Sequence, residues 1–144
     1  GNLELTGKRL ALRESRGIRV IDDTYNAAPE SMKSAINTLM NTEGRRHIAI
    51  LGGMNELGAD SEDYHREVGR FAVASGVDLL IGVEDKAKAI VEGADEKGGN
   101  SMWFGSKEQL YEKLSGLLRS GDIVLIKASN ALHMDEVSDK IINE

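Results

Sequence analysis

The chain has 144 residues, 40% hydrophobic and 29% charged, with a formal net charge of -6 and no cysteine. That length fits one domain, 1–144, with a sizeable core, and the composition is that of an ordinary globular protein. The acidic balance argues against a general nucleic-acid or anionic-membrane surface, and the lack of cysteine excludes disulfides and thiolate metal sites.

The chain opens on Gly1 rather than methionine, which reads as a sign of a segment cut from a longer protein. No signal-peptide pattern and no apolar run of about 18 residues is present, so a cytoplasmic setting is expected. "RLALRE" and "IRVID" flank "SRG" and predict a β-hairpin, with Gly17 supplying the positive φ of a tight turn. From Pro29 to about Met40, Met32, Ala35, Ile36 and Leu39 recur at helical spacing, with the proline suited to the first turn. "HIAILG" predicts the next strand. A helix from Ser61 to about Ala74 follows, with Tyr64, Val68, Phe71 and Ala72 as its apolar stripe and acids at its N-terminus.

"DLLIGV" predicts a strand and Asp85 to Val91 a short helix, with "ADEKGGNS" as a flexible loop beyond it. "SMWFG" is the next strand, its Trp103 and Phe104 expected in the core, and "SKEQ" opens a helix over Ser106–Leu118 with a capping-box pattern. "DIVLIKA" predicts the last strand, and Met134, Val137, Ile141 and Ile142 pack a closing helix. Strands alternating with helices predict an α/β, Rossmann-like three-layer sandwich. Its sheet is mostly parallel, with the antiparallel N-terminal hairpin at one edge. Ligands of such sheets bind beyond the carboxyl ends of the strands, which singles out the loops there.

Three of those loops carry polar equipment. "DDTYNAAP" offers two acids, a phenol and an amide, more than a helix cap requires, although Asp and Asn also cap helices. "LGGMNELGAD" has Gly52, Gly53 and Gly58, which let a backbone approach a ligand, ahead of a helix whose N-terminus favours anions. Read from Gly53 it has the spacing of a P-loop, but Ala59 and Asp60 stand where Lys and Ser/Thr belong, so it does not make an ATPase. The dinucleotide fingerprint is also absent, which disfavours an oxidoreductase. "IKASNALHM" places Lys127 at a strand end, its ammonium expected at the sheet's open edge, with Ser129 and Asn130 following. Lysine there suits a carboxylate, or else is an ordinary strand end before a helix cap. His47, His65 and His133 lack metal-ligand spacing, and no serine elbow or Cys–His pair occurs, so no catalytic or metal residue is expected.

In this order the three loops resemble the C-terminal domain of the Mur ligases. "DDTYNAAPESM" resembles the stretch D-D-S-Y-N-A-N-P-x-S-M, "LGGMNELGADSEDYHREVG" resembles L-G-D-M-x-E-L-G and its following helix, and "IKASNALHMDEV" resembles V-K-G-S-x-x-x-x-M-E-x-V. The similarity runs from about Leu5 to the C-terminus. This chain departs from the pattern with Gly53 for aspartate, Ala128 for glycine and Asn130 for arginine.

The resemblance points to the members that join D-alanyl-D-alanine to UDP-N-acetylmuramoyl-tripeptide in peptidoglycan precursor synthesis. It implies that ATP phosphorylates the acceptor carboxylate and that the dipeptide amine displaces phosphate from the acyl phosphate. It also implies that ATP and Mg2+ are held mainly by a central domain, and the UDP-sugar by an N-terminal one, neither of which is in this sequence. The C-terminal lobe closes over ATP and positions the dipeptide, so it is expected to be inactive alone. By the same resemblance Asp22 or Asp23 would bond the ribose, and Tyr25 and Asn26 would face nucleotide or phosphate. Asn55, Glu56, Lys127, Ser129 and Asn130 would serve the dipeptide side. Folylpolyglutamate and cyanophycin synthetases are sibling readings; a stand-alone nucleotide-binding module is the alternative of a different class.

Overall fold

A computed structural model describes residues 11–24 and 26–144. Arg9 and Leu10 of the expected first strand, and Tyr25, lie outside the described residues. Strands β1 (Ala11–Ser15) and β2 (Ile18–Asp22) form the expected antiparallel hairpin, with Ala11 opposite Asp22 and Ser15 opposite Ile18. The turn residues Arg16 and Gly17 have φ of 53° and 78°, the pair of positive values that matches the twist of a two-residue hairpin.

Strands β3 (Arg46–Leu51), β4 (Leu79–Val83), β5 (Ser101–Phe104) and β6 (Asp122–Lys127) complete a six-stranded sheet of order β1-β2-β6-β3-β4-β5. Every pairing after the hairpin is parallel. The buried strands β3, β4 and β6 are runs of Ile, Leu and Val, as sheets covered on both faces require. Helices α1 (Pro29–Met40), α2 (Ser61–Ser75) and α3 (Ala87–Glu96) pack on one face against Ile21, Ala49, Leu51 and Leu125. Helices α4 (Lys107–Leu117) and α5 (Asp135–Asn143) pack on the other against Val20, Ile48, Ile50 and Ile126. The three-layer α/β architecture with its antiparallel edge hairpin is the one the alternation of elements predicts.

Three local expectations change. Helix α3 continues past Val91 through Gly93 to Glu96, so the first three residues of "ADEKGGNS", Ala94 to Glu96, are helix, and a turn follows them before β5. Gly93 does not stop it because tertiary packing uses that glycine: a Cβ there would lie 2.0 Å from the Arg66 carbonyl oxygen of α2. On α2, Tyr64 is 39% exposed and His65, one residue on, is 1% exposed, so the buried stripe is turned by one position there. Trp103 and Phe104 are only partly buried, because β5 is an edge strand.

The topology positions the site. From β2 to β5 the chain keeps its helices on one face; α4 then crosses back on the other, and β6 inserts between β2 and β3. Reversal of the winding direction opens a crevice at the carboxyl edge. The loops after β2, β6 and β3 therefore stand side by side there.

Candidate functional site

Asp22 and Asp23 leave β2 on opposite faces of the sheet, as strand alternation requires. Asp22 faces α5, near Arg13, Ser138 and Asp135; burial pushes its carboxyl above the ordinary value, against hydrogen bonds from Thr24 and Ser138 that pull it down. Asp23 faces the α1 side and is 5% exposed, its Oδ2 3.1 Å from the Lys127 ammonium. One oxygen of each acid, Oδ1, is buried with no hydrogen-bond partner among the described residues. Neither acid caps α1: the N-cap is Ala28, whose N–H donates to Ser31 Oγ at 2.9 Å. A capping role therefore does not explain the acids or Asn26.

Lys127 corrects one expectation. Its side chain does not emerge at the open edge but is 1% exposed, and besides Asp23 it donates to the Asn26 carbonyl at 2.6 Å. Parity is the cause: Ile123, Leu125 and Lys127 point to the α1–α3 face, where Asp23 waits at the end of the neighbouring strand. A buried ammonium needs such a partner. The pair ties the first loop to the end of β6 from beneath.

The other loops are joined above it. Asn55 Nδ2 donates to Ser129 Oγ at 2.6 Å, and Lys86 Nζ, from the turn after β4, donates to Asn55 Oδ1 at 2.9 Å. Backbone bonds reinforce this, Gly52 N–H to the Lys127 carbonyl and Ser129 N–H to the Gly53 carbonyl, both at 2.9 Å. Ser129 and Asn130 do not cap the last helix, since a 3-10 turn (Asn130–Leu132) intervenes and Met134 is the N-cap. Together Asn26, Asn55, Glu56, Lys86, Ser129 and Asn130 line a cleft of about 480 Å³. Glu56, Glu84 and His133 hold positive φ of 61°, 74° and 52° around this edge, backbone strain of the kind found at binding sites.

The glycines of the second loop have an internal explanation. A Cβ on Gly52 would lie 2.6 Å from that of Ala128, and one on Gly53 would lie 2.5 Å from that of Lys86. At both positions the missing Cβ admits a neighbouring loop. Gly58, at φ 71° with open space around it, is needed for its turn.

His65 anchors the same loop. Its Nε2 accepts from the Met54 N–H at 2.9 Å and its Nδ1 lies 2.6 Å from the Ser61 carbonyl, which fixes a neutral ring protonated on Nδ1. Burial lowers its pKa from the ordinary 6.5. The unfolded chain then binds the extra proton first, so the stability His65 contributes is full above about pH 6.5 and is lost as pH falls toward the lowered folded value. Thermal melts between pH 8 and pH 5 should show this decline, and His65→Gln should flatten it. An unchanged slope would contradict the clamp.

Sequence reading missed Lys86, whose only signal was a cation in the turn "EDK" after a strand. Among the described residues no cluster of His, Cys, Asp or Glu is built to hold a metal ion, and no helix is long and apolar enough to cross a membrane.

Comparison with known proteins gives this arrangement a context. Residues 8–130 match the family described as Mur ligase, glutamate ligase domain. The chain is 33% identical over 145 residues to the UDP-N-acetylmuramoyl-tripeptide--D-alanyl-D-alanine ligase of Bacillus subtilis, covering 97% of this chain and 32% of that protein. The ligase of the same description from Synechocystis is 32% identical over 140 residues, covering 96% of this chain and 30% of its own length. Among solved structures, MurF of Thermotoga maritima in complex with ADP superposes with a TM-score of 0.79 at 28% identity, over 99% of this chain and 32% of that one. A crystal structure of MurF from Acinetobacter baumannii gives 0.86 at 26% identity, over 98% of this chain and 31% of that one. The chain thus spans about a third of the length of these relatives.

Proposed function

The chain belongs to the Mur ligase family as its C-terminal, glutamate ligase domain, and we propose that it is the closing lobe of an enzyme joining D-alanyl-D-alanine to UDP-N-acetylmuramoyl-tripeptide. What carries the reading is similarity to such ligases over nearly the whole chain, with the three matching loops meeting at one cleft. The setting is cytoplasmic synthesis of peptidoglycan precursors, and so cell-wall growth, shape and division.

In this reading the acceptor carboxylate takes the γ-phosphoryl group of ATP, giving an acyl phosphate and ADP. The dipeptide amine attacks the carbonyl carbon, phosphate leaves with the C–O bond pair, and the amine gives up a proton. By the family resemblance, ATP and Mg2+ would be gripped mainly by the parent's central domain, and the loop from Gly53, which lacks a P-loop lysine, is in keeping with that. This lobe contributes orientation and exclusion of water.

The unpartnered Oδ1 of Asp23 suits a ribose hydroxyl, which would donate to it, and the same chemistry is open to Asp22 on the other face. Tyr25 and Asn26 lie next to them in sequence and would meet nucleotide or phosphate. Asn55, Glu56, Ser129 and Asn130 would face the dipeptide. Lys127 acts from below, holding Asp23 and the Asn26 carbonyl in place.

Calorimetric titration of this chain with ATP and Mg2+ tests the reading. Half a nucleotide site is expected to bind in the millimolar range or weaker and to release no phosphate. Micromolar binding would favour a stand-alone nucleotide-binding module instead.

A further inference from the structure

Deepening that reading and resting on it, we infer that Lys86 receives the carboxylate of the incoming dipeptide and thereby sets the direction in which its amine points. Lys127, the cation of the third loop, is buried beneath the cleft and engaged with Asp23. Lys86 is the one cationic side chain among the described residues lining the cleft.

Its position is built rather than incidental. The stem packs over Gly53, so closely that any side chain at residue 53 would meet it within 2.5 Å. The head is aimed by Asn55, which is itself held by Ser129. The turn that carries Lys86 is pinned to the edge strand: Trp103 Nε1 donates to the Glu84 carbonyl at 2.8 Å, and the Glu84 N–H donates to the Phe104 carbonyl at 2.9 Å. An ammonium has three donors, and Asn55 takes one, leaving capacity for a carboxylate.

The chemistry of the substrate matches. A dipeptide nucleophile must present its amine to the acyl phosphate, so its far end has to be fixed, and that end is an anion. Glu56 lines the same cleft, giving it one charge of each sign. A zwitterion fits such a site better than a polyphosphate does.

Steady-state kinetics on the whole enzyme test the inference, with D-alanyl-D-alanine and its C-terminal amide compared as nucleophiles. Lys86→Gln is expected to raise KM for the dipeptide roughly 10- to 100-fold, the span of a lost charge-assisted hydrogen bond. KM for ATP should stay unchanged, and the amide, which has no carboxylate to lose, should be used equally poorly by both enzymes. Lys86→Arg should recover most of the affinity. An unchanged dipeptide KM, an equal rise for dipeptide and amide, or an effect confined to ATP would overturn it. Failure of the unaltered enzyme to use D-alanyl-D-alanine at all would instead overturn the functional reading beneath it.

Discussion

Replacing Gly69 by alanine is expected to destabilise the domain by about 3 kcal/mol or more, the upper range for overpacking a core. For a chain of this size that lowers the melting temperature by roughly 6–12 °C. In an open helix the same change gains up to about 1 kcal/mol through propensity, so the expected sign is opposite to the local rule. The reason is the contact between α2 and α3: a Cβ on Gly69 would lie 1.9 Å from the Ile90 carbonyl oxygen and 2.8 Å from the Ala94 nitrogen. Gly93 makes the reciprocal approach to Arg66. These are backbone atoms of a packed helix, so they cannot swing aside as a side chain would. Gly116 on α4 supplies the control, because a Cβ there meets nothing within 4 Å. Thermal melts should show Gly116→Ala neutral or stabilised and Gly69→Ala strongly lowered; similar melting temperatures for the two would refute the packing described.

Lys127→Met should be comparably severe. It leaves the Asp23 carboxylate buried without its cation and removes the donor to the Asn26 carbonyl. Breaking a buried pair from one side costs about 3–5 kcal/mol, whereas neutralising both partners costs far less. The double substitution Lys127→Met with Asp23→Asn should therefore recover much of the stability in a urea melt. It should not recover ligase activity in the whole enzyme, because the loop from Asp23 to Ala28 would have lost its tether. Full activity in the double variant would mean that the pair is structural only.

The layer order and the hairpin were legible because they rest on short-range patterns. Alternating strands and helices forecast the three layers, and Gly17 marked its turn correctly. What escaped depends on contacts between distant segments. The helix expected to end at Val91 runs on through Gly93, where α2 requires a glycine. Tyr64 and His65 are equally compatible with a stripe until the Met54 N–H, from another loop, selects the histidine. The three loops were picked out by strand ends and residue chemistry, and strand order brought them together. The role of Lys127 was not legible, since its burial depends on an aspartate just past the end of a strand far away in sequence. Lys86 was missed because its significance comes from Gly53 and Asn55 across the cleft, not from its own neighbours.

The decisive measurement is ADP release by the whole enzyme that carries this lobe, supplied with ATP, Mg2+, UDP-N-acetylmuramoyl-tripeptide and a panel of amines. D-Alanyl-D-alanine is predicted to drive ADP release and to appear in the product, while single amino acids such as D-glutamate do not. Turnover with a single amino acid but none with D-alanyl-D-alanine would contradict the assignment and place the chain with another branch of the family.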